Sequence, residues 1–351
     1  MTTTTVRSGR SDAGDAVVVV GRGPLAVAVV TRLAASSALG AVRSVPELPA
    51  VGAHEVLAGA AAVVLVADEA DLSAQTSVTP DERRTAAVAQ AQRTVEGARA
   101  AGVRQVVAVT SAMVHGASPG RAVITDDEPP PAGPGDGLVG DLVATEAVLA
   151  RAARRRGPKS PTIMVLRPAA VVGPGVDTLV TRHFAAPRLL AVRGVERGWQ
   201  LVHADDVASA VELALVERWS GSATVAAGPV LTLAQVELAA GMRRIELAAV
   251  TAFGTAERLQ RVGVIPTPAS ELAFAVYPWT VEPARLTAAG WEPAHDADDC
   301  LAVLLEGVRG QTAVAGRRLG GRDAALGAAG AAVAVLGTAA AWRQARARRR
   351  G

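Results

Sequence analysis

The sequence predicts an α/β fold built on a doubly wound parallel sheet, and two observations carry that expectation. Short, uninterrupted runs of β-branched and small residues recur along the chain, which is how strands buried on both faces read. The clearest are "DAVVVVG" (15–21), "AAAVVLVAD" (60–68), "VRQVVAVTS" (103–111) and "PTIMVLRPAAVVGPG" (161–175). Helical segments alternate with these runs, the order that strand–helix–strand crossovers produce. Half of the 351 residues are hydrophobic and only 3% are aromatic, so valine, alanine and leucine must fill the core.

The elements follow in order. The first strand ends in glycine, and "PLAVAVVTRLAAS" is the helix after it, with Pro24 in the first turn, where a missing N–H is tolerated. "GAVRSV" is a second strand. "RRTAAVAQAQRTVEGARAAG" (83–102) is a long helix ended by Gly102. A Pro/Gly-rich loop, "DDEPPPAGPGDG" (126–137), precedes a helix over "GLVGDLVATEAVLARAARRR" (137–156). Farther on, "ADDVASAVELALVERW" (204–219) reads as a helix with Asp205 as N-cap, "SATVAAG" as a strand and "TLAQVELAAGM" (232–242) as a helix.

Composition excludes several classes. A net charge of +3 over this length gives no case for nucleic-acid binding. The single cysteine, Cys300, excludes an intrachain disulfide and a cysteine-based zinc site; no metal is expected. The N-terminus, "MTTTTVRSGRSDAGD", has no apolar core of the kind a secretory signal needs, so a cytoplasmic body is expected.

"GRGPLA" (21–26) fits the Gly-x-Gly-x-x-Gly/Ala turn between a strand and a helix. In such a turn Gly21 permits the tight bend, Gly23 lets the backbone approach a pyrophosphate, and Ala26 stands at the last glycine. The stretch "AVRSVPEL" carries Arg43 and Ser44 but no aspartate at the strand end to hold the adenosine ribose. Arg43 either accepts a 2′-phosphate, favouring NADP over NAD, or is a solvated arginine.

The segments "VVVVGRGPLA", "AGVRQVVAVTSAMVHG", "LVGDLVATE", "LRPAAVVGPG", "LVHADDVASAV" and "ARLTAAGWEP" together resemble the extended short-chain dehydrogenase/reductases, in particular the NAD-dependent epimerase/dehydratase family that acts on nucleotide sugars. The resemblance runs from residue 15 to about 308. It implies a Rossmann-like domain over 15–175, completed by about 196–230, and a small mixed C-terminal substrate subdomain over 176–195 and 231–308. A disordered N-terminus (1–14) and a helical Ala-rich tail with a basic end (309–351) flank them. A nicotinamide cofactor, a nucleotide-sugar ligand and a homodimer are what the family would bring.

The catalytic carry-over fails at its centre. The family's serine position is Ser111, but its tyrosine position is Leu138, its lysine position Leu142, and an asparagine on the long helix is Ala87. No realignment restores the pair, because the only tyrosine is Tyr277 and the only lysine Lys159. Leu138 and Leu142 are one helical turn apart and share a face, while Asp141 is expected on another. His115, with a useful pKa, is a weak substitute that could pair with Ser111 or merely pack. Two readings follow: a divergent ligand-binding, regulatory or scaffold protein without standard hydride transfer, or an active enzyme using non-standard residues.

In the tail, Ala324–Trp342 is uncharged, and Trp342 is followed by five arginines. A segment of about 20 residues is long enough to span a bilayer, but a span would place those arginines on the wrong side of it. An anionic membrane surface or a partner helix meeting 324–350 fits the pattern better.

Overall fold

The computed structural model describes residues 4–6, 16–130, 135–155, 157, 159–263, 265 and 267–315. Residues 309–315 of the expected tail continue the last helix, and the rest, with the expectation of a membrane or helix contact at 324–350, lies outside the described residues. No helix among the described residues is long and apolar enough to cross a membrane.

Thr4–Val6 (β1) precedes Ala16–Val20 (β2), which runs into Gly23–Ala35 (α1); Val42–Val45 (β3) and Ala53–Val56 (α2) follow. Ala60–Val66 (β4) leads to Leu72–Gln75 (α3) and the long Pro80–Ala101 (α4). A Thr79/Glu82 capping box opens α4 and Gly102, in the left-handed conformation, closes it. Next come Gln105–Val109 (β5), Ile124–Thr125 (β6), Gly137–Ala153 (α5), Thr162–Pro168 (β7) and Ala170–Val172 (β8). Leu179–Phe184 (α6), Leu189–Val192 (β9), Leu201–His203 (β10), Ala204–Val216 (α7) and Gly221–Val225 (β11) complete the main body. The remainder is Leu233–Ala240 (α8), Arg244–Leu247 (β12), Ala249–Arg261 (α9), Ala273–Val276 (α10), Val281–Glu282 (β13), Ala284–Ala288 (α11) and Ala297–Ala315 (α12).

The main sheet has the order β1-β3-β2-β4-β5-β7-β11, parallel throughout except for β1. The Rossmann-like, doubly wound expectation therefore holds. Alternate residues of each strand feed two cores: Val17 and Val19 meet α1 and α7 on one face, while Val18 and Val20 meet α4 and α5 on the other. The chain leaves β2 first for β3 and then for β4 on its opposite side, so the sheet's topological switch lies between β2 and β4. A crevice opens at the carboxyl ends of strands at such a point.

Three expectations change. The N-terminus is not wholly irregular, because Thr4–Val6 pairs antiparallel with β3 and covers an edge that would otherwise expose unpaired N–H and C=O groups. The long run at 161–175 is two strands: Pro168 lacks an N–H for the ladder, and after it the chain leaves the main sheet to pair β8 with β10. The cap of α7 is His203, whose Nδ1 accepts the Asp205 amide at 3.2 Å, and Asp205 moves into the first turn.

Beneath the strand ends, Glu146 of α5 accepts Thr110 Oγ1 at 2.7 Å and pairs with Arg167 of β7 at 2.8 Å, both charges buried. Arg167 also donates to the Glu128 carbonyl at 3.2 Å. Removing one member of a buried pair strands the other charge and costs about 3–5 kcal/mol. Glu146→Ala is expected to lose that much in urea unfolding, whereas Glu82→Ala, at a solvated helix cap, is expected to shift the midpoint far less.

Candidate functional site

At the switch point lies a cleft of about 630 Å³. Its floor is the turn Gly21–Gly23 and the end of β4; its walls are Ala87 of α4, Ser111, and Leu138, Asp141 and Leu142 of α5. Gly21 and Gly23 both adopt positive φ (152° and 80°), as the turn reading requires. A side chain on Gly21 would collide with Val66 of β4. Ala26 is buried where α1 packs on the sheet, so its methyl replaces a third glycine without blocking the turn.

Arg43 does not reach the cleft. It sits within β3 opposite Thr5, and its guanidinium donates to the Ala58 carbonyl at 2.8 Å. The residue that does stand beyond the strand end is Glu47, which lines the cleft and pairs with Arg22 at 3.2 Å. An acidic group at this point suits a ribose diol. The expectation missed it because Pro46 separates it from the strand pattern.

Leu138 and Leu142 both line the cleft and, with Ala86, Ala87 and Val139, form an apolar strip between the polar residues Arg83, Gln90, Asp141 and Thr145 of the same two helices. The sole tyrosine, Tyr277, at the end of α10, is stacked on Phe253 of α9 at 5.6 Å, and the sole lysine, Lys159, is exposed in the turn before β7. Neither lines the cleft. The expected placement of Asp141 is corrected: it is buried on the cleft side, held by Arg83 at 2.5 Å and Arg84 at 2.9 Å. The two arginines of α4 pull it inward, and they lie 58 and 57 residues away along the chain, a pairing with no local signal.

Ser111 lines the cleft, buried, with its Oγ accepting the Met113 amide at 3.3 Å. His115 does not join it: the structure places the ring outside the cleft lining, buried, with neither nitrogen hydrogen-bonded. Burial, and next the nearby Arg167, push its pKa down to about 4. The ring is therefore neutral at physiological pH, and its 3.7 Å approach to Glu128 is not an ion pair; Arg121 holds that carboxylate.

Glu271, a lone acid in an apolar stretch, was invisible to sequence reasoning. It reaches from the turn before α10 to the first turn of α5, where Oε1 accepts the amides of Leu138 at 2.6 Å and Val139 at 3.3 Å. Gly137 (φ 65°) is needed there, because any Cβ would strike this carboxylate. Burial raises the Glu271 pKa to about 7. A separate group, outside the cleft, joins α7 to the segment before α12: His203 and His295 stack at 3.9 Å, and buried Asp206 accepts the Ala294 amide at 2.7 Å and contacts the His295 ring at 3.1 Å. Nitrogen and carboxylate atoms of His203, Asp205 and His295 lie within 4.8 Å of one another, a set of donors that could hold a metal ion.

A nicotinamide dinucleotide fits this cleft poorly at its reactive end. Leu138 and Leu142 offer it no hydroxyl or ammonium group, and the hydroxyls that line the cleft are those of Ser77, Ser111, Thr145 and Thr178.

No family model matches the sequence. Uncharacterized proteins of Mycobacterium tuberculosis and Mycobacterium bovis are 31% identical over 144 residues, 41% of this chain and 38% of theirs. The chain thus matches well under half the length of these relatives. Solved structures match almost end to end. MoeE5, in complex with UDP-glucuronic acid and NAD, is 20% identical with a TM-score of 0.61, over 84% of this chain and 99% of that one. The UDP-glucose 4-epimerase of Thermus thermophilus, complexed with NAD, is 19% identical with a TM-score of 0.58 over the same shares. Human epimerase family protein SDR39U1, with NADPH, is 19% identical with a TM-score of 0.59 over the same shares.

The fold is that of the NAD-dependent epimerases and dehydratases. At such identities the likeness is one of fold, and it leaves the chemistry to the residues in the cleft.

The raised pKa of Glu271 has a consequence for stability. The folded state holds this proton more tightly than the unfolded chain, whose carboxyl titrates at 4.5. Its stabilising contribution is full below that value and is lost as pH rises through about 7, by on the order of 3 kcal/mol at most. Thermal unfolding followed by circular dichroism is expected to show Tm falling from about pH 5 to about pH 8, with Glu271→Gln flattening that fall.

Proposed function

We propose that the protein is a divergent member of the extended short-chain dehydrogenase/reductases, of the epimerase/dehydratase type, that binds a small molecule in its cleft and performs no standard hydride transfer. It would act as a ligand-binding, regulatory or scaffold protein. The observation that carries this reading is the pair Leu138 and Leu142 on the cleft wall.

Family chemistry needs a hydroxyl whose proton can leave and a neighbouring cation that lowers its pKa. Leucine supplies neither, and the apolar strip also desolvates whatever lies against it. Ser111 remains as a hydrogen-bonding group, already accepting from Met113. Asp141 could receive a proton only at the cost of its pairing with Arg83 and Arg84. The rival reading, an enzyme using Ser111 with His115, lacks the contact it requires, because His115 lies outside the cleft. What remains is a site able to hold and orient a ligand without moving its protons. NAD complexes and nucleotide sugars among the structural neighbours make a nucleotide-like ligand a natural first probe.

The test is turnover. Wild-type protein given UDP-glucose or UDP-glucuronic acid with NAD or NADP is expected to show no change in absorbance at the reduced-nicotinamide band and no epimerised or dehydrated sugar by chromatography. Sustained turnover that Ser111→Ala abolishes would restore the enzyme reading. A ligand at a hundredfold its Kd should stabilise the fold by about 2.7 kcal/mol, and Leu138→Asp is expected to remove that thermal shift.

A further inference from the structure

The segment Ala67–Asp71, which leaves β4, does not stand clear of the glycine turn. A Cβ on Gly23 would collide with the Glu69 carbonyl oxygen, and the Glu69 side chain packs there as well. The glycine that ordinarily lets a pyrophosphate approach the backbone here admits the protein's own backbone. Two further features act in the same sense. Pro24 removes one N–H from the first turn of α1, whose amides would otherwise be donors to phosphate. Asp68 and Glu69 both line the cleft, two acids beside the single cation Arg22 of the turn. A diphosphate seated beside two carboxylates would meet repulsion in a partly desolvated site.

The segment is tied in place from the far side of the cleft. Asp177 donates its amide to the Ala70 carbonyl at 2.8 Å, and its own carbonyl accepts the Leu72 amide at 2.8 Å. Its carboxylate accepts Ser73 Oγ at 3.0 Å and pairs with Arg182 at 2.5 Å. Ala70 is held at φ 51°, an unfavourable conformation for a residue with a Cβ, which the flanking bonds enforce.

We propose that Ala67–Asp71 occupies the diphosphate position of the cleft, so that the site excludes dinucleotides and nucleoside diphosphates and admits phosphate-free ligands with an apolar face. This rests on reading the cleft as a binding site and adds the class of molecule it accepts. The wall of Ala87, Leu138 and Leu142 receives the apolar face, and Glu47 with Arg22 offers polar contacts at the opposite end.

The deciding experiment is calorimetry on the full chain with NAD, ADP and adenosine as probes. Wild-type protein is expected to give no saturable binding of NAD or ADP at millimolar concentration, and ADP no tighter than adenosine. The variant Asp68→Asn/Glu69→Gln/Asp177→Ala, which discharges the segment and removes the carboxylate bonds to Ser73 while keeping the backbone bonds to Ala70 and Leu72, is expected to gain tenfold or more in NAD affinity. Circular dichroism checks that it folds, and Glu69→Gln alone, with a smaller gain, serves if it does not. Micromolar NAD or ADP binding by the wild type overturns the proposal, as does a folded variant that gains nothing. Binding without turnover would overturn this proposal alone, whereas turnover would overturn the proposed function.

Discussion

The buried pair Glu146–Arg167 fixes the geometry of everything above it. It clamps α5 to β7, and Thr110 brings the end of β5 into the same network. Helix α5 then has one rotation available to it, because turning it would pull a charge away from its partner in a water-free interior. That rotation presents Leu138 and Leu142 to the cleft. Glu271 at the first turn of α5 and the paired arginines on Asp141 hold the same helix at its other contacts. Ionisable groups beneath and beside the helix thus position two leucines.

The result is a cleft whose framework and whose chemistry disagree. The switch point, the glycine turn and the helix start are those of the Rossmann-like fold. Yet an apolar strip runs along the wall, and acids crowd the turn. Among solved structures of this fold, MoeE5 and the Thermus epimerase carry NAD in complexes. In this chain three polar groups of the cleft are engaged within the protein: Asp141 with arginines, Asp177 with Arg182, Ser111 with a backbone amide.

Much of this was legible in the sequence, and for a local reason. Strands buried on both faces show as unbroken valine runs, helices by their caps, and the turn by its glycines, since each is decided within a few residues. The absence of a usable tyrosine and lysine was equally plain, because a residue type that occurs once cannot be rescued by realignment. So the fold class, the glycine turn at Gly21 and Gly23, and the leucines at 138 and 142 are readable without any tertiary contact.

The tertiary structure decided what depends on partners distant in the chain. Arg43 turned toward the Ala58 carbonyl, leaving Glu47 at the strand end. Asp141 turned inward to arginines on another helix, and His115 was buried away from Ser111. Glu271 crossed from the turn before α10 to cap α5, 133 residues away in the chain. The segment after β4 settled on Gly23 through bonds to Asp177, 104 residues beyond Ser73 in the chain. No spacing rule forecasts such contacts: a charged side chain goes to whichever opposite charge or open amide the packed fold brings within reach, and only the packed fold sets those distances.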